Sequence, residues 1–156
     1  MADYKLAKKK FDEGVAAYLK GEFDYSIELL SQTLRHDPDF APAYSSRGAA
    51  YLKLDNFSKA ISDLDRAVRL DPDYAHAFHL RGLAYEKAGN SARAYRDFDR
   101  AMEIDPDLWA AYRSRDCIMD RSVDDCSAIE EFEMADHLAA LRVAQFAGEG
   151  LARSSN

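Results

Sequence analysis

Three phrases in this chain, HDPDFAPAY at 36–44, LDPDYAHAF at 70–78 and IDPDLWAAY at 104–112, place Asp37, Asp71 and Asp105 at a spacing of 34 residues. A fixed period of this length means one supersecondary unit copied along the chain, each copy unable to bury its apolar face alone. The other columns keep the same period: Gly14, Gly48 and Gly82; Ser26, Ala60 and Ala94; Thr33, Ala67 and Ala101; Leu30, Leu64 and Phe98; Tyr51 and Tyr85.

Each column has a physical reading. An Asp-Pro pair ends a helix, because proline lacks an N–H and drives the preceding residue away from helical dihedrals. The following aspartates, Asp39, Asp73 and Asp107, are expected to cap the next helix. Gly21, Asp55-Asn56 and Gly89-Asn90 break each copy in the middle, which is turn chemistry. Between these breaks apolar residues recur at helical spacing, as with Ile61, Leu64, Ala67 and Val68 on one face. Each copy therefore reads as two antiparallel helices, and the small columns let them approach closely.

These residues resemble the tetratricopeptide repeat, a 34-residue helix–turn–helix unit. The frame gives repeats at 7–40, 41–74 and 75–108. The second and third match best, through Tyr44/Phe78, Gly48/Gly82, Tyr51/Tyr85, Ala60/Ala94, Leu64/Phe98, Ala67/Ala101 and Pro72/Pro106. The first has Lys10 and Ala17 where aromatics are usual. The resemblance implies an all-α, right-handed solenoid of helix–turn–helix repeats.

The phrase has no further copy near residue 139. Trp109 and Tyr112 open a fourth unit, but Asp116 replaces its glycine and Ala140 stands where proline should be. Ala128, Phe132 and Ala135 still fall on the small, large and small columns. With no stop, apolar residues run on through Leu141, Val143 and Phe146 to Gly148. Residues 109–148 are thus expected to form a degenerate fourth repeat with an elongated C-terminal capping helix, its outer face made polar by Glu130, Glu131, Glu133, Asp136 and Arg142. Residues 1–6 and 149–156 are expected to be tails.

A second ladder runs through the frame. Arg47, Arg81 and Arg115 lie 34 apart, and Asp63, Asp97 and Glu131 each follow one of them by 16 residues. The favoured reading is a structural salt bridge inside each repeat; the rival is an anion-binding row of arginines.

Composition removes several function classes. At 156 residues the chain forms one domain, able to bury about 70% of its unfolded surface. Its net charge of −7 argues against nucleic acid, because phosphate neutralisation needs a basic surface. Lys8-Lys9-Lys10, the dense basic cluster, reads as a solvated helix face. No apolar stretch is long enough to span a membrane, and no signal-peptide h-region is visible, so the expected compartment is the cytoplasm. Cys117 and Cys126 are then expected to stay reduced, and their spacing fits no zinc pattern. No phosphate loop, GxSxG or HExxH motif is present, so no enzyme, catalytic residue or cofactor is expected.

Function is then expected on the concave surface, which the resemblance assigns to the first helices. The lining residues are Phe11, Val15, Tyr18 and Leu19; Ser45, Ser46, Ala49 and Leu52; His76, His79, Leu80 and Leu83; then Arg113 and Cys117. An apolar groove of this kind takes a partner's peptide or helix through side-chain anchors. The alternatives are a groove filled by the C-terminal helix or by a second copy in a homodimer, and a chaperone for one dedicated secretion or assembly client. Family members that hold the acidic tails of heat-shock chaperones use lysine, asparagine and arginine at positions that here are Phe11, Val15, Ser46, His76 and Leu80, and none matches. His76 and His79, at i and i+3, share a face; groove lining is favoured over a metal site because no acid or cysteine completes one. His36 and His137 stand alone in sequence.

Overall fold

The computed structural model describes residues 2–119 together with 137, 138, 140 and 141. Seven helices follow one another: α1 (Ala2–Leu19), α2 (Phe23–His36), α3 (Ala41–Lys53), α4 (Phe57–Leu70), α5 (Ala75–Lys87), α6 (Ser91–Ile104) and α7 (Trp109–Met119). Residues 137, 138, 140 and 141 are also helical. The rest of the degenerate repeat, the capping helix and the C-terminal tail lie outside the described residues. Because α1 begins at Ala2, residues 2–6 are helix and not the expected tail; no glycine or proline interrupts Ala2–Leu19 before Gly14.

Helices pack as α1/α2, α3/α4 and α5/α6, and each pair then stacks on the next. The small columns explain the closeness within a pair. A Cβ placed on Gly48 would stand 2.8 Å from Leu64 Cγ, and one on Gly82 would stand 2.5 Å from Phe98 Cε1. The glycine column of the first helix thus meets the large column of the second. In the first repeat, Ser26 Oγ also donates to Gly14 O at 2.7 Å. Thr33, Ala67 and Ala101 are fully buried, as the close packing requires.

The mid-repeat turns follow their residues. Gly21 (φ +80°) and Gly89 (φ +84°) take left-handed backbone that a side chain resists, and Asp55 (φ 56°) takes it as a tolerated short polar residue. Asn56 and Asn90 cap the next helix, their side chains accepting from Lys59 N and Arg93 N at 3.2 Å.

The Asp-Pro-Asp corner differs from expectation. The N-caps of α3 and α5 are Phe40 and Tyr74, without a side-chain cap bond, and not Asp39 and Asp73. The first aspartate of each phrase organises the turn instead. Asp37, Asp71 and Asp105 accept through Oδ1 from the N–H two residues on, at 3.4, 3.1 and 3.0 Å. Phe40 takes the cap position because its ring packs inward, edge-on to Phe11 at 5.0 Å. Asp39 is left outside and pairs with Arg66 at 3.1 Å.

Contacts also run along the first helices, α1 to α3, α3 to α5 and α5 to α7, while no pair of second helices packs to the same extent. The closer layer of a curved stack is its inner one, so α1, α3, α5 and α7 line the concave side.

Candidate functional site

The outer wall of the groove is held by ion pairs. Arg47 forks onto Asp63, with Nε and Nη2 each 2.7 Å from a carboxylate oxygen. Arg81 does the same to Asp97 at 2.8 and 2.7 Å. Each arginine also reaches backward. Arg47 donates to Ser31 Oγ at 2.9 Å, Arg81 to Asp65 at 2.9 Å and Arg115 to Asp99 at 3.4 Å. One guanidinium therefore ties the second helix of its own repeat to that of the repeat before. The hydrogen bonds Arg47 donates to Asp63, reinforced by the carboxylate's charge against an opposing burial effect, raise the Arg47 pKa, and Asp97 does so for Arg81. With their donors committed to carboxylates and, for Arg47, to the Ser31 hydroxyl as well, both arginines are poorly placed to collect anions. Glu131, the expected partner of Arg115, lies outside the described residues. The backward partners were legible: Ser31, Asp65 and Asp99 are themselves 34 apart, each 16 residues before an arginine.

The expected lining residues sit on the inner helices, but most are core and not open surface. Phe11, Val15, Tyr18, Ser45, Ser46, Ala49, His76, His79, Leu80 and Leu83 are all buried. Leu19 is 41% exposed, Leu52 and Cys117 are half-buried, and Arg113 is exposed. A helical segment from further along the chain lies against part of this surface. Leu138, 1% exposed, belongs to the same apolar cluster as Phe11, Val15, Ala49, Leu80 and Leu83, and Leu141 packs against that cluster. The His137 ring stacks on His76 with centroids 3.6 Å apart, and its Nε2 lies 3.0 Å from the Tyr74 hydroxyl.

The histidine pair thus becomes a group of three. His79 lies 5.8 Å from His76, ring to ring, and its Nε2 is 2.9 Å from Ser114 Oγ. Burial drives all three imidazoles toward the neutral form: His76 well below its usual value, His79 to about 4 with the neighbouring His137 adding to the effect, and His137 to about 4. Tyr74 is pushed up by burial against a hydrogen bond from Ser45. Ser46 Oγ, His76 Nε2 and His79 Nδ1 are buried without a hydrogen-bond partner among the described residues. Among those residues no set of three or more His, Cys, Asp or Glu side chains is placed to hold a metal ion. His137, isolated in sequence, is the residue that periodicity missed; 61 positions separate it from His76 and no column links them. Cys117 is disulfide-bonded, against the expectation of reduced thiols; Cys126 lies outside the described residues. Among the described residues no helix is long and apolar enough to cross a membrane.

Paired helices, a stacked inner layer and a groove that accepts a helical segment define a helical-repeat protein-binding module. Tetratricopeptide repeat models match residues 11–75 and 48–119, and the chain belongs to that family. The first repeat domain of Spaghetti (RPAP3), solved with the HSP90 peptide SRMEEVD, is similar at 26% identity and a TM-score of 0.72, covering 74% of this chain and 92% of that one. The second repeat domain of human RPAP3, solved with the HSP70 peptide SGPTIEEVD, has 26% identity and a TM-score of 0.72 over 76% and 98% of the two chains. MamA has 25% identity and a TM-score of 0.69, over 88% of this chain and 81% of its own. No protein of curated function matches the sequence.

Proposed function

We propose that this chain is a non-catalytic protein-binding module that receives a helical segment of a partner protein in its concave groove. The observation that carries the reading is the seated segment itself: Leu138 is buried in the apolar cluster of the inner helices and His137 stacks on His76, in a segment helical at residues 137, 138, 140 and 141. A groove that holds an amphipathic helix through an apolar anchor selects that ligand class.

The heat-shock peptides bound by the similar RPAP3 domains are acidic, and this groove is not built for them. The residues that the family resemblance matches to a carboxylate clamp, Phe11, Val15, Ser46, His76 and Leu80, are all buried and none is charged at neutral pH. An acidic tail entering there would bury carboxylates without a cation.

The test is site-directed photocrosslinking in native extract, with a benzoylphenylalanine at Leu52 in the groove or at Tyr95 on the second-helix face. A partner crosslinked from Leu52 and not from Tyr95 supports the groove. Crosslinking from Tyr95 alone overturns it.

A further inference from the structure

The groove is occupied from within, and the occupant leaves part of its floor unsatisfied. Leu138 is sealed in the apolar cluster, and His137 gains the Tyr74 hydroxyl and the His76 face. On the same inner helices Ser46 Oγ, His76 Nε2 and His79 Nδ1 are buried with no hydrogen-bond partner among the described residues. Native interiors seldom tolerate such atoms, because each has given up water for nothing. Here three occur on two adjacent inner helices, α3 and α5, at inward-facing positions. A ligand that placed an apolar side chain where Leu138 sits and offered hydrogen bonds to these atoms would fit the groove better than the resident segment does.

Resting on the reading of the groove as the binding site, we propose that the segment carrying His137, Leu138 and Leu141 is an internal competitor that must leave before a partner's helix can enter. The partner segment this floor fits is an amphipathic helix with an apolar anchor beside a neutral hydrogen-bonding side chain, such as asparagine, glutamine or serine. Its amide or hydroxyl meets the open imidazole nitrogens and the Ser46 hydroxyl. A carboxylate would be desolvated there beside uncharged rings, so an acidic anchor is disfavoured.

The probe is a fluorescein-labelled synthetic peptide with this chain's own residues 129–148. It is titrated into the full-length wild type and into full-length Leu138→Asp, with folding checked by circular dichroism. If the resident segment competes, opening the groove raises the competent fraction, and the variant binds the peptide at least about tenfold more tightly than wild type. A peptide bearing the same Leu138→Asp change binds neither protein. Should Leu138→Asp fail to fold, His137→Ala removes the stack and the Tyr74 contact while keeping the apolar anchor, and a several-fold gain is expected from it. Equal affinity for wild type and a folded variant, or no binding to that variant, makes the segment a fixed part of the core and overturns the proposal. A wild type that light scattering shows to be a dimer, converted to a monomer by Leu138→Asp, makes the segment an exchange between copies and also overturns it. The probe contains no partner, so either failure leaves the crosslinking result to stand on its own.

Discussion

Asp97→Asn tests the bonding of the groove wall most directly. The substitution keeps the shape of residue 97 and deletes the charge that faces Arg81. The side chains of Arg81 and Asp97 are 19% and 8% exposed, so the pair is largely out of water. Removing one partner of a buried pair costs about 3–5 kcal/mol, because the other charge is left uncompensated. Two features reduce that here. Asp65 still stands 2.9 Å from Arg81, and the asparagine oxygen still accepts one hydrogen bond. The expected loss is about 2–3 kcal/mol. Asp65→Asn makes the internal control. Its side chain is 31% exposed and it accepts one bond, not a fork, so it should cost about 0.5–1 kcal/mol. Urea unfolding at pH 7, followed by circular dichroism, measures both, and Asp97→Asn should lower the midpoint clearly more. Arg81→Met completes a double-mutant cycle, keeping much of the side chain's length while removing the guanidinium, whose carbon lies 5.3 Å over the Phe78 ring. The double variant should be more stable than the sum of the two single losses implies. An Asp97→Asn protein within about 0.5 kcal/mol of wild type, or an Asp65→Asn protein equally damaged, refutes the assignment of Asp97 as the principal partner.

Other outcomes follow from the same geometry. Gly82→Ala drives a methyl into the Phe98 ring and should cost about 1–3 kcal/mol by thermal unfolding, and an unchanged midpoint would contradict the close packing of α5 on α6. Protonation should loosen the fold through the imidazoles: His79 titrates near 4 when folded, below the usual 6.5, so its stabilising share is complete above pH 6.5 and is lost as pH falls toward 4. The loss on going from neutral pH to pH 5 is about 2 kcal/mol, and His79→Gln should show a shallower fall over that range; an identical pH profile would count against a buried neutral imidazole. The peptide SRMEEVD should give no calorimetric binding signal, and micromolar affinity would show that the groove supplies cations to acidic tails after all.

The period of 34 carried a great deal. It placed the helix pairs, the mid-repeat turns, the small-against-large columns and the forked pairs Arg47–Asp63 and Arg81–Asp97, because each depends on residues within one unit or its neighbour. Interactions that recur in every copy leave a periodic trace, and a periodic trace can be read without coordinates. The backward bonds to Ser31, Asp65 and Asp99 left one too. At the Asp-Pro-Asp corner, local chemistry misled for a different reason. Asp39 and Asp73 have the right side chain for a cap, but the burial of Phe40 and Tyr74 sets which residue occupies that place. The sequence offered a groove filled by the C-terminal helix as an alternative to an open one, and which residues meet there belonged to the tertiary structure. His137 meets His76, and Leu138 joins the core of the inner helices, through contacts made far apart in sequence. Such a contact occurs once and joins an unrepeated segment to a repeated surface. It leaves no period, and whether a concave face is open or filled depends on where the chain goes after its last repeat.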